Sequence, residues 1–236
     1  MTQDHIVSSY DQELTDLHDA LNAMAKAVKA LLGDAVKGLA SGDVEQAKRL
    51  IKRDKVIDQM QLDIDTQATR LIALRAPVAA DLRAVLASYR MSNDLERMGD
   101  LAKNIAKRTV ALGDNTYLQE QGKSMIRLAD LVMGMIDDVV TLYDNQSAEG
   151  AKALIDKDQA VDDLHSSQFR EILSYMMEDP SKITALTHYL FITKNIERIG
   201  DHVTNIAEQI YYLVTGELVD DMHQNYDESS NLSDES

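Results

Sequence analysis

The chain has 236 residues, 44 % of them apolar, which is enough to bury the core of one large or two small domains. It has no cysteine, so disulfides, thiolate zinc sites and cysteine catalysis are excluded. With 24 basic against 40 acidic residues the formal charge is −16, which repels nucleic-acid backbones and anionic lipid alike and leaves cations and proteins as partners.

The opening stretch "MTQDHIVSSYDQEL" has neither a basic region nor an apolar run, and no later segment approaches the roughly 18 apolar residues of a membrane span. The expectation is a chain without signal peptide or membrane helix. Apolar residues then recur at spacings of three and four, the helical period. The first helix is carried by Leu14, Leu17, Leu21, Met24, Val28, Leu31 and Ala35. After "ASGD", Asp43 is placed to cap a second helix running through "EQAKRLIKRDKVIDQMQLDIDTQATRLIAL". Pro77 ends it, a third helix is predicted over 79–112, and "GDNTY" at 113–117 carries turn chemistry.

Beyond that turn the pattern starts again. Met125, Leu128, Val132, Met135 and Val139 fall 104 positions after Leu21, Met24, Val28, Leu31 and Ala35. The same offset carries Glu45, Ala47, Lys48, Leu50, Ile51, Asp54 and Asp58 onto Glu149, Ala151, Lys152, Leu154, Ile155, Asp158 and Asp162. The two prolines, Pro77 and Pro180, are 103 apart, and "ERMGDLAKNIA" recurs as "ERIGDHVTNIA" 101 later. A three-residue shortening near the second turn accounts for the drift. The chain thus reads as all-α, a tandem duplication of a three-helix unit over 8–113 and 117–216 packed side by side, followed by an acidic tail over 217–236 expected to be disordered.

The repeated motif carries the candidate chemistry. Glu96 and Asp100 are four apart on the third helix, as are Glu197 and Asp201 on its counterpart. At about 100° per residue the stripe of Met91, Leu95, Met98, Ala102 and Ile105 faces the core, with Glu96 and Asp100 almost opposite, pointing outward. On the second helix Asp54 and Asp58 share a face that flanks Leu50, Ile57 and Ile64. If helices two and three run antiparallel about Pro77, Asp58 and Glu96 are both 19 residues from the pivot, and Asp54 and Asp100 both 23. Around Pro180, Asp162 and Glu197 are 18 and 17 away, Asp158 and Asp201 22 and 21. Each unit therefore brings four carboxylates to one height, where they repel one another, and something cationic is needed among them.

Oxygen-only ligation suits hard ions, so magnesium, manganese or iron is expected at two clusters, with Asn104 and Asn205 one turn further on able to add amide oxygens. Acids four apart on a helix ordinarily mark a solvated face paired with lysine or arginine; doubling and level matching set these apart. Arg97 and Arg198 pair with neighbouring acids on this reading, and Gly99 and Gly200 serve close helix packing. His165 and His202 read as surface residues, their counterparts being Gln61 and Leu101.

"RAPVAADLRAVL" at the first hairpin, "LERMGDLAKNIA" and "IERIGDHVTNIAEQIYYLVTGE" resemble the PhoU family, accessory regulators of high-affinity phosphate transport, over roughly residues 8–216. The resemblance implies two three-helix bundles in a cytoplasmic, commonly dimeric protein. It further implies repression of the phosphate-starvation response, with the phosphate ABC transporter and its sensor histidine kinase as partners and the membrane reached only through them. The family's metal motifs map onto Asp54, Asp58, Glu96 and Asp100, then Asp158, Asp162, Glu197 and Asp201, all present. An adaptor without catalysis is favoured over a carboxylate-bridged di-iron enzyme, which wants Glu-x-x-His on two inward-facing helices, and over a scaffold whose acids bind nothing.

Overall fold

The computed structural model describes residues 2–113 and 118–219. Of the turn expected at 113–117 only Gly113 is among them, and the expected tail lies outside them from residue 220 onward. The described chain is helical without strands. The first unit is α1 (Thr2–Ser41), α2 (Val44–Arg75) and α3 (Ala79–Leu112). The second is α4 (Leu118–Asn145), α5 (Ala148–Asp156), α6 (Asp158–Glu178) and α7 (Ile183–Thr215), with a 3-10 turn over Pro180–Lys182 before α7.

The boundaries follow from local chemistry. Asp43 accepts the Gln46 amide at 2.8 Å and so caps α2; its counterpart at the 104 offset, Ser147, caps α5 through the Gly150 amide at 3.1 Å. Ala76, in the left-handed region, closes α2 with its amide on the Ile72 carbonyl, and Pro77, lacking an N–H, forbids continuation. In the second unit α6 ends at Glu178, Asp179 is its cap and Pro180 follows, so each proline is the second residue after its helix, as their spacing suggested.

The two units differ in the middle. Where α2 is continuous, its counterpart is jointed at Lys157, whose amide reaches the Leu154 carbonyl three residues back, and Ala160 does the same to Lys157. This local 3-10 tightening needs neither proline nor glycine. It leaves Asp158 as the first residue of α6.

α3 packs against α1 and α2, and α7 against α4, α5 and α6; the two units meet along α3 with α7 and α1 with α4. Met91, Leu95, Met98, Ala102 and Ile105 are all buried, as are Ile192, Ile196, Ile199, Val203 and Ile206 on α7. Among the described residues no helix is long and apolar enough to cross a membrane. Among the described residues the buried charged side chains are Asp54, 2 % exposed, and Glu197, 7 % exposed. Both belong to the predicted carboxylate sets.

Gly99 and Gly200 set the separation of the helix pairs. A Cβ on Gly99 would stand 3.1 Å from Ile57 Cγ2 and 3.4 Å from Asp54 Oδ1; on Gly200 it would stand 3.3 Å from Val161 Cγ1 and 3.5 Å from Asp158 Oδ1. Gly99→Ala is expected to stay within about 1 kcal/mol of wild type, since gained helix propensity offsets a few tenths of an ångström of crowding. Gly99→Val, which drives a branched side chain into Ile57, is expected to cost about 2 kcal/mol in a denaturant melt.

Candidate functional site: two carboxylate clusters

The first cluster is built by α2 and α3. Asp54 is buried where α3 comes closest, opposite Gly99; Asp58 one turn on is exposed; Glu96 and Asp100 are half-buried. The second is built by α6 and α7, with Asp158, Asp162 and Asp201 half-buried and Glu197 buried. The outward orientation read from the helical wheel is thus corrected. The faces opposite the α3 and α7 stripes are covered by α2 and α6, so the acids lie in seams between helices. A repeated ion pair sits beside each seam: Arg53 to Asp34 at 2.9 Å, and Lys157 to Asp138 at 2.7 Å. These pairs tie the residue preceding Asp54 or Asp158 to the first helix of its own unit. They follow the 104 offset and were legible in it, though sequence reasoning passed over them.

Four carboxylates at one height do influence one another. Burial, then Asp100, Asp58 and Asp54, raise the Glu96 carboxyl above its ordinary range against the pull of Arg97. Burial, then Asp201, Asp162 and Glu197, push Asp158 up to about 6. Burial and Glu197 likewise raise Asp201, opposed by Lys194. The level matching derived from the hairpins therefore has a physical consequence in both units.

The cation in the first cluster is part of the chain. Lys103 Nζ donates to Asp54 Oδ2 at 2.5 Å and also to Asp100 Oδ1, bridging α2 and α3. Burial works against its charge, but the hydrogen bonds to Asp100 and Asp54 outweigh it and hold the lysine above its ordinary pKa. Arg97 adds a weaker approach, 3.6 Å to Glu96 and 4.0 Å to Asp100. Sequence reasoning missed Lys103, although it lies one turn past Asp100 in the motif itself.

Among the described residues the second cluster has no such group. At the 101 offset Lys103 becomes Thr204, whose hydroxyl donates to the Asp201 backbone carbonyl at 2.7 Å. Lys194 reaches Glu197 Oε1 at 2.5 Å from a largely solvated position. Asp158 Oδ1 and Glu197 Oε2 are buried without a hydrogen-bond partner, as is Asp54 Oδ1 in the first cluster. Such orphaned carboxylate oxygens are costly unless a cation meets them, and all-oxygen donors of this kind fit a hard divalent ion. Among the described residues no three acidic or histidine side chains are yet drawn together as a coordination shell. Asn104 is half-buried beside the first cluster. Asn205 is exposed and donates to Asp94 Oδ1 at 3.4 Å. His202 meets the same carboxylate at 2.9 Å, so these two residues of α7 join the units through α3.

Asp158 gives a test that needs no metal. Its proton is held more tightly in the folded than in the unfolded chain, so its contribution to stability is present at low pH and lost as pH rises through about 6. In chelator, Asp158→Asn is therefore expected to melt above wild type at pH 7.5, with the difference fading as the pH falls toward the ordinary carboxylate value of about 4. A difference that does not change with pH would show that relieved repulsion is not its cause.

Comparison with known proteins agrees with the duplicated architecture. The family model described as "PhoU domain" matches twice, at residues 21–109 and 125–210. A phosphate-specific transport system accessory protein PhoU homolog of Rhizobium meliloti is 41 % identical over 216 residues, covering 92 % of this chain and 91 % of that protein. One from Caulobacter vibrioides is 40 % identical over 214 residues, covering 91 % and 93 %. Among solved structures, PhoU from Pseudomonas aeruginosa superposes with a TM-score of 0.79 at 33 % identity, covering 88 % of this chain and all of that one. The phosphate transport system regulatory protein PhoU from Streptococcus pneumoniae gives 0.82 at 34 %, covering 89 % and 99 %. With both repeats matched and relatives aligned over nearly their whole length, this chain belongs to the PhoU family.

Proposed function

We propose that the protein is a cytoplasmic regulator of phosphate homeostasis that lowers phosphate uptake and the starvation response by coupling a phosphate ABC transporter to its sensor histidine kinase. The observation that carries this reading is the full-length match to relatives described as accessory proteins of phosphate-specific transport. The charge of −16 supports protein partners over nucleic acid or bare lipid, so the membrane is reached through the transporter. An adaptor accords better with the site than a di-iron enzyme does, since among the described residues there is one Asp-x-x-His, Asp162 to His165, and the acids lie in a seam beside the core. A homodimer belongs to the same reading. Affinity capture from membranes prepared at high and low phosphate is expected to retain the transporter and the kinase, in amounts that change with phosphate. Recovery of neither at either concentration would overturn the proposal.

We further propose that magnesium, manganese or an iron ion binds the carboxylate clusters. Asp158, Asp162, Glu197 and Asp201 would hold it in the second unit; Asp54, Asp58, Glu96 and Asp100 are the matching set in the first. Such an ion neutralises the repulsion and ties two helices together. Stabilisation by mass action reaches about 2.7 kcal/mol at a hundredfold excess over Kd. Melting curves in chelator and in excess Mn²⁺ should therefore differ for wild type. Glu197→Gln with Asp201→Asn should be at least as stable as wild type in chelator, because like charges are removed, yet gain less from Mn²⁺. Equal melting of wild type in both conditions would show that the acids bind no such ion.

A further inference from the structure

Duplication gives the two clusters the same acids, but their surroundings are not the same. We propose that they have divided roles: Lys103 is the permanent cation of the first cluster, making it a metal-independent clasp between α2 and α3, while a divalent ion enters the second cluster alone. This rests on the metal reading above and refines where that metal goes.

The geometry separates the two. Lys103 Nζ bonds Asp54 on α2 and Asp100 on α3 at once, and its side chain is 19 % exposed. An ion approaching Asp54 and Asp100 would have to displace an ammonium group already bonded to both, or sit beside it and be repelled. Arg97 also stands near Glu96 and Asp100. Four carboxylates against Lys103 and Arg97 leave a formal charge of −2 in the first cluster.

In the second, Thr204 replaces Lys103 and turns its hydroxyl to the backbone. Lys194, with a side chain 51 % exposed, engages one oxygen of Glu197 and is the lysine or arginine paired there among the described residues. Four carboxylates against Lys194 leave −3. Both clusters keep one orphaned oxygen against their glycine, Asp54 Oδ1 and Asp158 Oδ1, but only the second has another, Glu197 Oε2. Glu197 is 93 % buried, from 7 % exposure, so this oxygen lacks the solvent that relieves Glu96. The second cluster is the one with a vacancy for positive charge and inward-facing oxygen to meet it.

The test is Mn²⁺ binding by the full chain, followed by electron paramagnetic resonance after removal of metal with chelator. In wild type, Glu197→Gln with Asp201→Asn is expected to weaken binding at least about tenfold, while Glu96→Gln with Asp100→Asn changes affinity by less than about twofold. Thr204→Lys, which copies the first cluster's cation into the second, should also weaken binding about tenfold. Lys103→Met should add Mn²⁺ bound per chain, and that addition should vanish when Glu96→Gln and Asp100→Asn are combined with it. Should Lys103→Met fail to fold by circular dichroism, the two double variants and Thr204→Lys decide the matter. Wild type that binds Mn²⁺ at both clusters overturns the division of roles and leaves the metal reading standing. Wild type that binds none overturns both.

Discussion

Like charge held at one level between two close helices is the interaction on which the rest of this structure turns. Asp54 faces Gly99, and Asp158 faces Gly200, because a residue without Cβ lets the helices approach to where a carboxylate oxygen would touch a methyl group. That approach buries the acids, and burial with mutual repulsion raises Glu96, Asp158 and Asp201 above the usual carboxylate range. The seam is therefore stressed unless positive charge occupies it. Helix pairs of the same length with outward acids would carry none of this tension.

The two halves answer the same tension differently. In the first, a lysine one turn beyond the last acid folds back across the seam, so the clasp is complete with groups of the chain itself. In the second, that lysine is a threonine, the helix is jointed directly before Asp158, and the nearest ammonium sits at the rim. The first seam is bridged by a lysine of the chain itself and the second is not.

The second cluster is also wired into the first unit. His202, beside Asp201, and Asn205, one turn further, both reach Asp94 on α3, two residues before Glu96. Along the other contact between units, Tyr143 on α4 stacks on His18 of α1 at 4.5 Å between ring centroids and shares a hydrogen bond of 3.1 Å with Ser88 on α3. The seam of α6 and α7 is thus joined to the first unit through a packed boundary of α7 with α3.

How much of this could be read from the sequence depended on whether the signal was periodic. Helix type, the α3 bounds, the Asp43 cap and the duplication followed from spacings of three and four and from constant offsets, because helix geometry is a local rule that the chain obeys residue by residue. The eight acids were found the same way, by folding the hairpins about their turns. Which face of α3 was covered was not legible, since a helical wheel knows the core but not the neighbour on the opposite side; hence Glu96 and Asp100 were read as outward. The joint at Lys157 carries no proline or glycine, so no breaker residue announced it. Lys103 was visible in the motif, yet its partner Asp54 lies 49 residues away, and only packing brings an ammonium and a distant carboxylate within 2.5 Å. The sequence by itself determined which charges each helix carries and at what height; tertiary structure decided which are buried and which already have a counter-ion, because burial and long-range pairing are properties of neighbours that no local period encodes.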